Sequence, residues 1–194
     1  MKRDKFEVLT STAVVLPINN IDTDQIIPAR FLKTTQRGSF ADNLFRDQRF
    51  DADGDPIESF ALNYQSGSIL VAGNNFGCGS SREHAAWALY DYGFRAVVSS
   101  SFADIFKGNA LNNALLPVCV SEDYLARLTE ALNTDPTLRI TISLLDCTIS
   151  SDGVGVESFA INGYKRECLM KAFDDIDYLI ANIADIEKYE SQLC

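Results

Sequence analysis

Three short apolar runs recur through the middle of the chain: Ile69-Leu70-Val71, Ala96-Val97-Val98 and Leu116-Pro117-Val118-Cys119-Val120. Runs this short, without polar alternation, predict strands buried on both faces, as parallel strands are. The stretches between them, 81–92 and 102–114, read as helices; Gly93 closes the first and Gly108 interrupts the second. Strand and helix thus alternate in short units, which predicts a parallel βαβαβ portion. Ser121-Glu122-Asp123-Tyr124 opens a further helix to about 132, and 138–142 and 147–149 read as late strands. The end of the chain, from 163 to about 189, reads as helical. Upstream, Val8, Leu9 and the run 13–16 predict an early strand or hairpin, and 19–28 is turn-rich and then apolar. Between 33 and 60 no clean period is present, and Arg37-Gly38-Ser39 and the acidic 51–56 stretch carry loop chemistry. The expectation is one α/β domain over 1–194 with a C-terminal helical extension over about 163–194.

The polar stretch between the first run and its helix, GNNFGCGSSREHAAW over 73–87, is where chemistry is to be sought. In a parallel unit the C-terminal ends of all strands lie along one edge of the sheet, and ligands bind outside that edge. The loop 99–104, with Ser101 and Asp104, is therefore expected beside it. Two readings of the stretch compete. Ser80-Ser81-Arg82-Glu83 matches the capping-box pattern that starts many helices, so a serine serves as a cap and the glycines as a tight turn. Alternatively, Gly77 and Gly79 clear the backbone for a ligand, helix N–H groups face it, and Arg82 stands where its charge opposes the helix dipole unless an anion is near. That second reading is a carboxylate or phosphate cradle. The stretch is not a P-loop, a G-x-G-x-x-G turn or a nucleophile elbow. Cys78 and His84, the only histidine, are separated by a loop-to-helix junction that fixes no contact between them, so packing is the expected role of His84.

Composition narrows the classes further. The charge is −10, from 17 basic and 27 acidic residues, with no basic run; this argues against a nucleic-acid partner. An anionic small ligand must then be gripped by local arginines. Five cysteines, an odd number with no C-x-x-C pair, point away from a disulfide framework and from a structural zinc site. No run of about 18 apolar residues is present and no signal-peptide core follows the charged start, so no membrane partner and a cytoplasmic location are expected.

The stretch Asn75-Phe76-Gly77-Cys78-Gly79-Ser80-Ser81-Arg82-Glu83-His84-Ala85 resembles the signature of the aconitase superfamily's swivelling domain, most nearly that of the 3-isopropylmalate dehydratase small-subunit family. The run from Asn20 through Ile21-Asp22-Thr23-Asp24 to Pro28 resembles that family's N-terminal motif, and Ser101-Phe102-Ala103-Asp104-Ile105-Phe106 and Asn113-Ala114-Leu115-Leu116-Pro117 its next segments. Ala86, and Lys171-Ala172-Phe173-Asp174-Asp175-Ile176, depart from the usual pattern. The resemblance implies a β/β/α swivelling fold, and a heteromer whose large subunit carries a [4Fe–4S] cluster with an open iron while this chain binds no cofactor. It also implies a dehydration and rehydration that interconvert 2- and 3-isopropylmalate in leucine synthesis. By position, Ser80 is implied as the base that takes the carbon-bound proton. Ser81, Arg82 and Gly79 are implied to hold the small dicarboxylate substrate, with Arg37 as a further carboxylate-binding arginine. Lys33 would suit a homoaconitate-type substrate, whereas Phe40, Leu44 and Phe45 would offer an isopropyl group an apolar wall. A methylmalate-type enzyme and a non-catalytic anion-binding module are the alternatives.

Overall fold

A computed structural model describes residues 4–32 and 40–192. Its elements in chain order are β1 (Val8–Ser11), β2 (Ala13–Leu16), α1 (Thr23–Ile26), α2 (Arg46–Arg49), β3 (Ile69–Ala72), α3 (Glu83–Tyr92), β4 (Ala96–Ser99) and α4 (Asp104–Asn112). There follow β5 (Leu116–Cys119), α5 (Glu122–Thr134), β6 (Ile140–Ser143), β7 (Thr148–Ser151), β8 (Gly155–Ser158), α6 (Gly163–Lys171), α7 (Asp175–Ala181) and α8 (Ile183–Glu190).

The strands form two sheets. β2, β3, β4 and β5 lie side by side in that order, all parallel. The βαβαβ unit read from the sequence is present, and β2 adds a fourth strand at its edge. The second sheet is antiparallel, in the order β1-β6-β7-β8. The early apolar segment is therefore not a hairpin. Only Thr12 separates β1 from β2, yet Val8 pairs with Ser143 in one sheet and Ala13 with Ile69 in the other. β8 is an edge strand that the sequence did not announce; its residues are almost all exposed, so no apolar pattern marks it.

Side chains alternate across each parallel strand, and this divides the core in two. Ala13, Val15, Ile69, Val71, Ala96, Val98, Leu116 and Val118 pack with Tyr124, Leu128 and Leu132 of α5 and with Ile140, Ile142 and Ile149 of the antiparallel sheet. Val14, Leu16, Leu70, Ala72 and Val97 face the other way, onto Ala85, Ala88 and Leu89 of α3 and Phe106 and Ala110 of α4. The result is a layer of helices, a parallel sheet and a layer made of the second sheet with α5, in agreement with the expected β/β/α arrangement. Phe40, Leu44 and Phe45 are each 0% exposed within this second core. They fill the protein interior, so the apolar wall expected of them is not available to a ligand.

The C-terminal extension is helical, as expected, but in three pieces. Ala172 takes a left-handed φ of 60° and ends α6, and Asn182 separates α7 from α8. No described helix is long and apolar enough to cross a membrane.

Candidate functional site

The loops that follow β2, β3 and β4 meet at one edge of the parallel sheet. Phe76 pairs with Phe102, and Cys78 with Asp22, as single parallel bridges. The backbone bonds of these bridges are Phe76 N–H to the Ser101 carbonyl (3.1 Å), Ala103 N–H to the Phe76 carbonyl (3.0 Å), Gly77 N–H to the Ile21 carbonyl (2.7 Å) and Thr23 N–H to the Cys78 carbonyl (2.9 Å). Side chains reinforce the frame. Ser99 Oγ donates to the Gly73 carbonyl at 2.6 Å, and Ser101 Oγ accepts from Asn75 N–H at 2.8 Å. Asn75 Nδ2 donates to Asn20 Oδ1 at 2.9 Å. The 99–104 loop thus lies beside the glycine-rich loop, as the topology predicts. Ser101 spends its hydroxyl tying the two loops together, and neither it nor Asp104 caps α4, whose N-cap is Ala103.

The capping-box reading of Ser80 and Glu83 is not what the chain adopts. α3 begins at Glu83, two residues later than the pattern suggests, with Arg82 as its N-cap and no side-chain cap. Glu83 Oε1 instead accepts from Asn113 Nδ2 at 2.9 Å. The reason is Thr23: its hydroxyl donates to the Ser80 carbonyl at 2.9 Å and lies 3.3 Å from Ser80 Oγ, holding that residue in the loop. Gly79, Ser80 and Ser81 are exposed, while the residues that pin them from below are buried or half-buried. Gly79 sits at φ +90°, where a Cβ would lie 3.3 Å from Asp22 Cβ. The reason for Gly77 differs from the one inferred from sequence. It is buried, at φ +75°, and the space a side chain would need is taken by the Phe106 ring, not left open for a ligand.

Arg82 does have a carboxylate beside it. Its Nη1 is paired with Asp24 Oδ1, and the side chain is 19% exposed against 55% for Asp24. Nothing in the sequence signals this pair, because Asp24 belongs to the first turn of α1. α1 is in turn held by a capping box between Asp22 and Gln25, so a single short turn places Thr23 under Ser80 and Asp24 against Arg82. Arg37 and Lys33 lie outside the described residues.

Cys78 and His84 do not form a nucleophile pair. Cys78 Sγ is 3.4 Å from the Asn20 carbonyl, and the His84 ring packs against Phe40 (5.4 Å between centroids) and Trp87 (4.6 Å). The described cysteines do not converge as ligands for an iron–sulfur cluster either. Cys78, Cys119 and Cys147 bond to separate backbone carbonyls, of Asn20, Ser100 and Leu144. Among the described residues no three His, Cys, Asp or Glu side chains converge as a ligand set.

The profile of the aconitase C-terminal domain matches residues 3–123. The 3-isopropylmalate dehydratase small subunit of Christiangramia forsetii is 57% identical over 192 residues, covering 97% of this chain and 94% of its own. That of Cytophaga hutchinsonii is 53% identical, covering 96% and 94%. A crystal structure of 3-isopropylmalate dehydratase from Methanocaldococcus jannaschii superposes with a TM-score of 0.68 at 30% identity, over 94% of this chain and 99% of that one. With likeness in sequence and fold along nearly its whole length, the chain belongs to the 3-isopropylmalate dehydratase small-subunit family, built on the aconitase C-terminal domain.

Proposed function

We propose that the 73–82 loop is the half of a shared active site that this chain brings to a cytoplasmic 3-isopropylmalate dehydratase, which interconverts 2- and 3-isopropylmalate in leucine synthesis. The observation that carries the proposal is the contrast within the loop: Ser80 and Ser81 are exposed at the sheet edge, while Thr23, Asp22 and Asp24 fix the backbone and the Arg82 guanidinium around them. Fixed polar groups on a rigid frame are what positioning a small dianion requires.

In this reading Ser80 Oγ takes the proton from the substrate carbon next to the one bearing hydroxyl, and a proton returns to the other carbon when water adds back in the opposite sense. Ser81 and the Gly79 backbone receive a substrate carboxylate, and Arg82 grips it with the donors that Asp24 leaves. The family resemblance assigns a second positive charge to Arg37. The iron–sulfur chemistry belongs to the large subunit. Ser80 and Ser81 stand exposed beside the Arg82–Asp24 pair, so the substrate side of the loop is open to water unless a second protein surface covers it; this supports a heteromer over a free-standing anion-binding module.

The test is reconstitution. The purified chain alone is expected to show no turnover of 2-isopropylmalate, and activity is expected on adding the large subunit under anaerobic conditions. Turnover by the isolated chain overturns the shared-site reading, and preference of the pair for homoaconitate or methylmalate relocates it to a sister enzyme. In the active pair, Arg82→Lys is expected to lower kcat/KM by about 10–150-fold. Lysine keeps the charge but loses the planar fork, at about 1.5–3 kcal/mol for a charge-assisted hydrogen bond.

A further inference from the structure

Thr23 Oγ1 stands between two atoms of Ser80: it lies 2.9 Å from the carbonyl oxygen and 3.3 Å from Oγ. A hydroxyl carries one proton and two lone pairs. The carbonyl can only accept, so the Thr23 proton goes to it, and Ser80 donates across the longer contact while its own proton is in place. A deprotonated Ser80 oxygen reverses the contact. It has nothing to donate, and two oxygens that face each other with lone pairs alone repel. The contact becomes favourable again only when the Thr23 proton turns from the carbonyl to the Ser80 oxygen.

That turn does not orphan the carbonyl. Arg82 N–H also donates to it, at 2.8 Å, closing a tight turn around Ser81. A carbonyl has two lone pairs, so in the resting loop it holds two donors and keeps one when Thr23 turns away. Removing the last partner of a buried polar group costs its full desolvation, whereas removing one of two does not. The frame around Thr23 leaves its proton as the part free to move. The residue is 2% exposed, so water does not compete for the hydroxyl. Its N–H donates to the Cys78 carbonyl at 2.9 Å, and its carbonyl accepts from Ile27 N–H at 3.0 Å. The capping box between Asp22 and Gln25 holds the same turn. A β-branched side chain is stiff at χ1, which keeps Oγ1 within reach of both Ser80 atoms.

We propose that Thr23 is a positioning residue for the proton transfer: its hydroxyl turns from the Ser80 carbonyl to the Ser80 oxygen and steadies that oxygen in its deprotonated form. Thr23 ends with the proton it began with. The proton that Ser80 gives up passes to water at its exposed side, and the substrate proton is then taken by the same oxygen. The proposal rests on the reading of Ser80 as the base. One hydrogen bond supplies only part of the activation a serine needs, so the positive field from the large subunit's side is still required.

The experiment measures kcat and KM of Thr23→Val, Thr23→Ser and Ser80→Ala in the reconstituted enzyme. Valine keeps the branched shape and removes the hydroxyl. Thr23→Val is expected to lower kcat by about 10–150-fold, the usual contribution of a hydrogen bond to a charged group, with KM unchanged. Thr23→Ser, which restores the hydroxyl, is expected to recover most of that loss. Because Thr23 acts through Ser80, adding Thr23→Val to Ser80→Ala is expected to lower kcat no further. A hydroxyl that merely braces the loop behaves differently: its removal raises KM as well, and the loss persists in the Ser80→Ala background. Either result overturns the proposal. If Thr23→Val does not fold, Thr23→Cys is compared with Thr23→Ser. The two side chains share a shape, but the thiol is a weak donor, so Thr23→Cys is expected to be the slower, and equal kcat overturns the proposal. Lost turnover in Ser80→Ala with wild-type kcat in Thr23→Val removes the Thr23 assignment alone. Wild-type kcat in Ser80→Ala removes the base and the proposal with it.

Discussion

In the reconstituted enzyme, Ser80→Ala is expected to lower kcat by about 10²–10⁴-fold, the usual contribution of a positioned proton acceptor, with little change in KM. The Thr23 hydroxyl is committed as a donor to the Ser80 carbonyl, so Ser80 is the donor in the 3.3 Å contact between the two hydroxyls. Ser80 is thus protonated at rest, and it must give up that proton before its oxygen can accept one from the substrate carbon. The hydroxyl is a very weak acid, and its activation must come from positive field. A helix N-terminus gives about 0.3–1 kcal/mol, or about 2 when partly buried, and at about 1.36 kcal/mol per pKa unit that is some one and a half units. Arg82 is already partly neutralised by Asp24. The remainder has to come from the large subunit's side of the cleft, which is a second reason to expect the isolated chain to be inactive. Since Ser80 does not cap α3, the roughly 0.5–2 kcal/mol that loss of a cap costs is not expected. Kinetics and melting measured on the same variant decide the matter. An early-melting Ser80→Ala that turns over normally would make the serine a structural residue and remove it from the mechanism.

A large loss of stability is expected at Gly77. A Cβ added there would stand 2.2 Å from Phe106 Cγ, at φ +75°. Phe106 is 1% exposed and packs edge-on against Phe76 at 5.1 Å and flat against Phe102 at 6.3 Å, so it has nowhere to retreat. The left-handed backbone costs a side chain roughly 1–2 kcal/mol and overpacking typically about 1–3. Gly77→Ala is therefore expected to destabilise the chain by about 2–5 kcal/mol, which lowers Tm by roughly 5–15 °C for a protein of this size. Gly93→Ala is the internal control: φ is +119°, but nothing lies within 4 Å of the added carbon. Equal melting losses in the two variants would show that the Phe106 contact carries no weight.

How far the molecule could be read from its sequence depended on whether the deciding contact was local. The buried runs at 69–71, 96–98 and 116–120 and the start of α5 at Ser121 were legible because burial and capping act within a few residues. Ser121 Oγ does accept from Tyr124 N–H, at 3.1 Å. The start of α3 was misread because the S-x-x-E pattern is local, whereas Thr23, which overrides it, comes from another loop. The Arg82–Asp24 pair was invisible for the same reason. Phe40, Leu44 and Phe45 lie in a stretch without periodicity, and only the folded chain shows that they are interior. The candidate residues Gly79, Ser80, Ser81 and Arg82 could be named together from the sequence because they are contiguous in one loop.

The switch of sheets at Thr12 has a consequence for how the chain is made. β2 finds its partner β3 within 13–72, but β1, synthesised just before it, pairs with β6, at Ile140–Ser143. At about 5–20 residues per second of translation, β1 waits roughly 6–25 seconds for the strand that completes its ladder. Closing so long a span adds entropy cost to the late step and gives the antiparallel sheet the high contact order that slows folding. A nascent chain thus exposes an open strand beside an already assembled parallel sheet, and interruption of synthesis before residue 140 would leave that edge available to other chains.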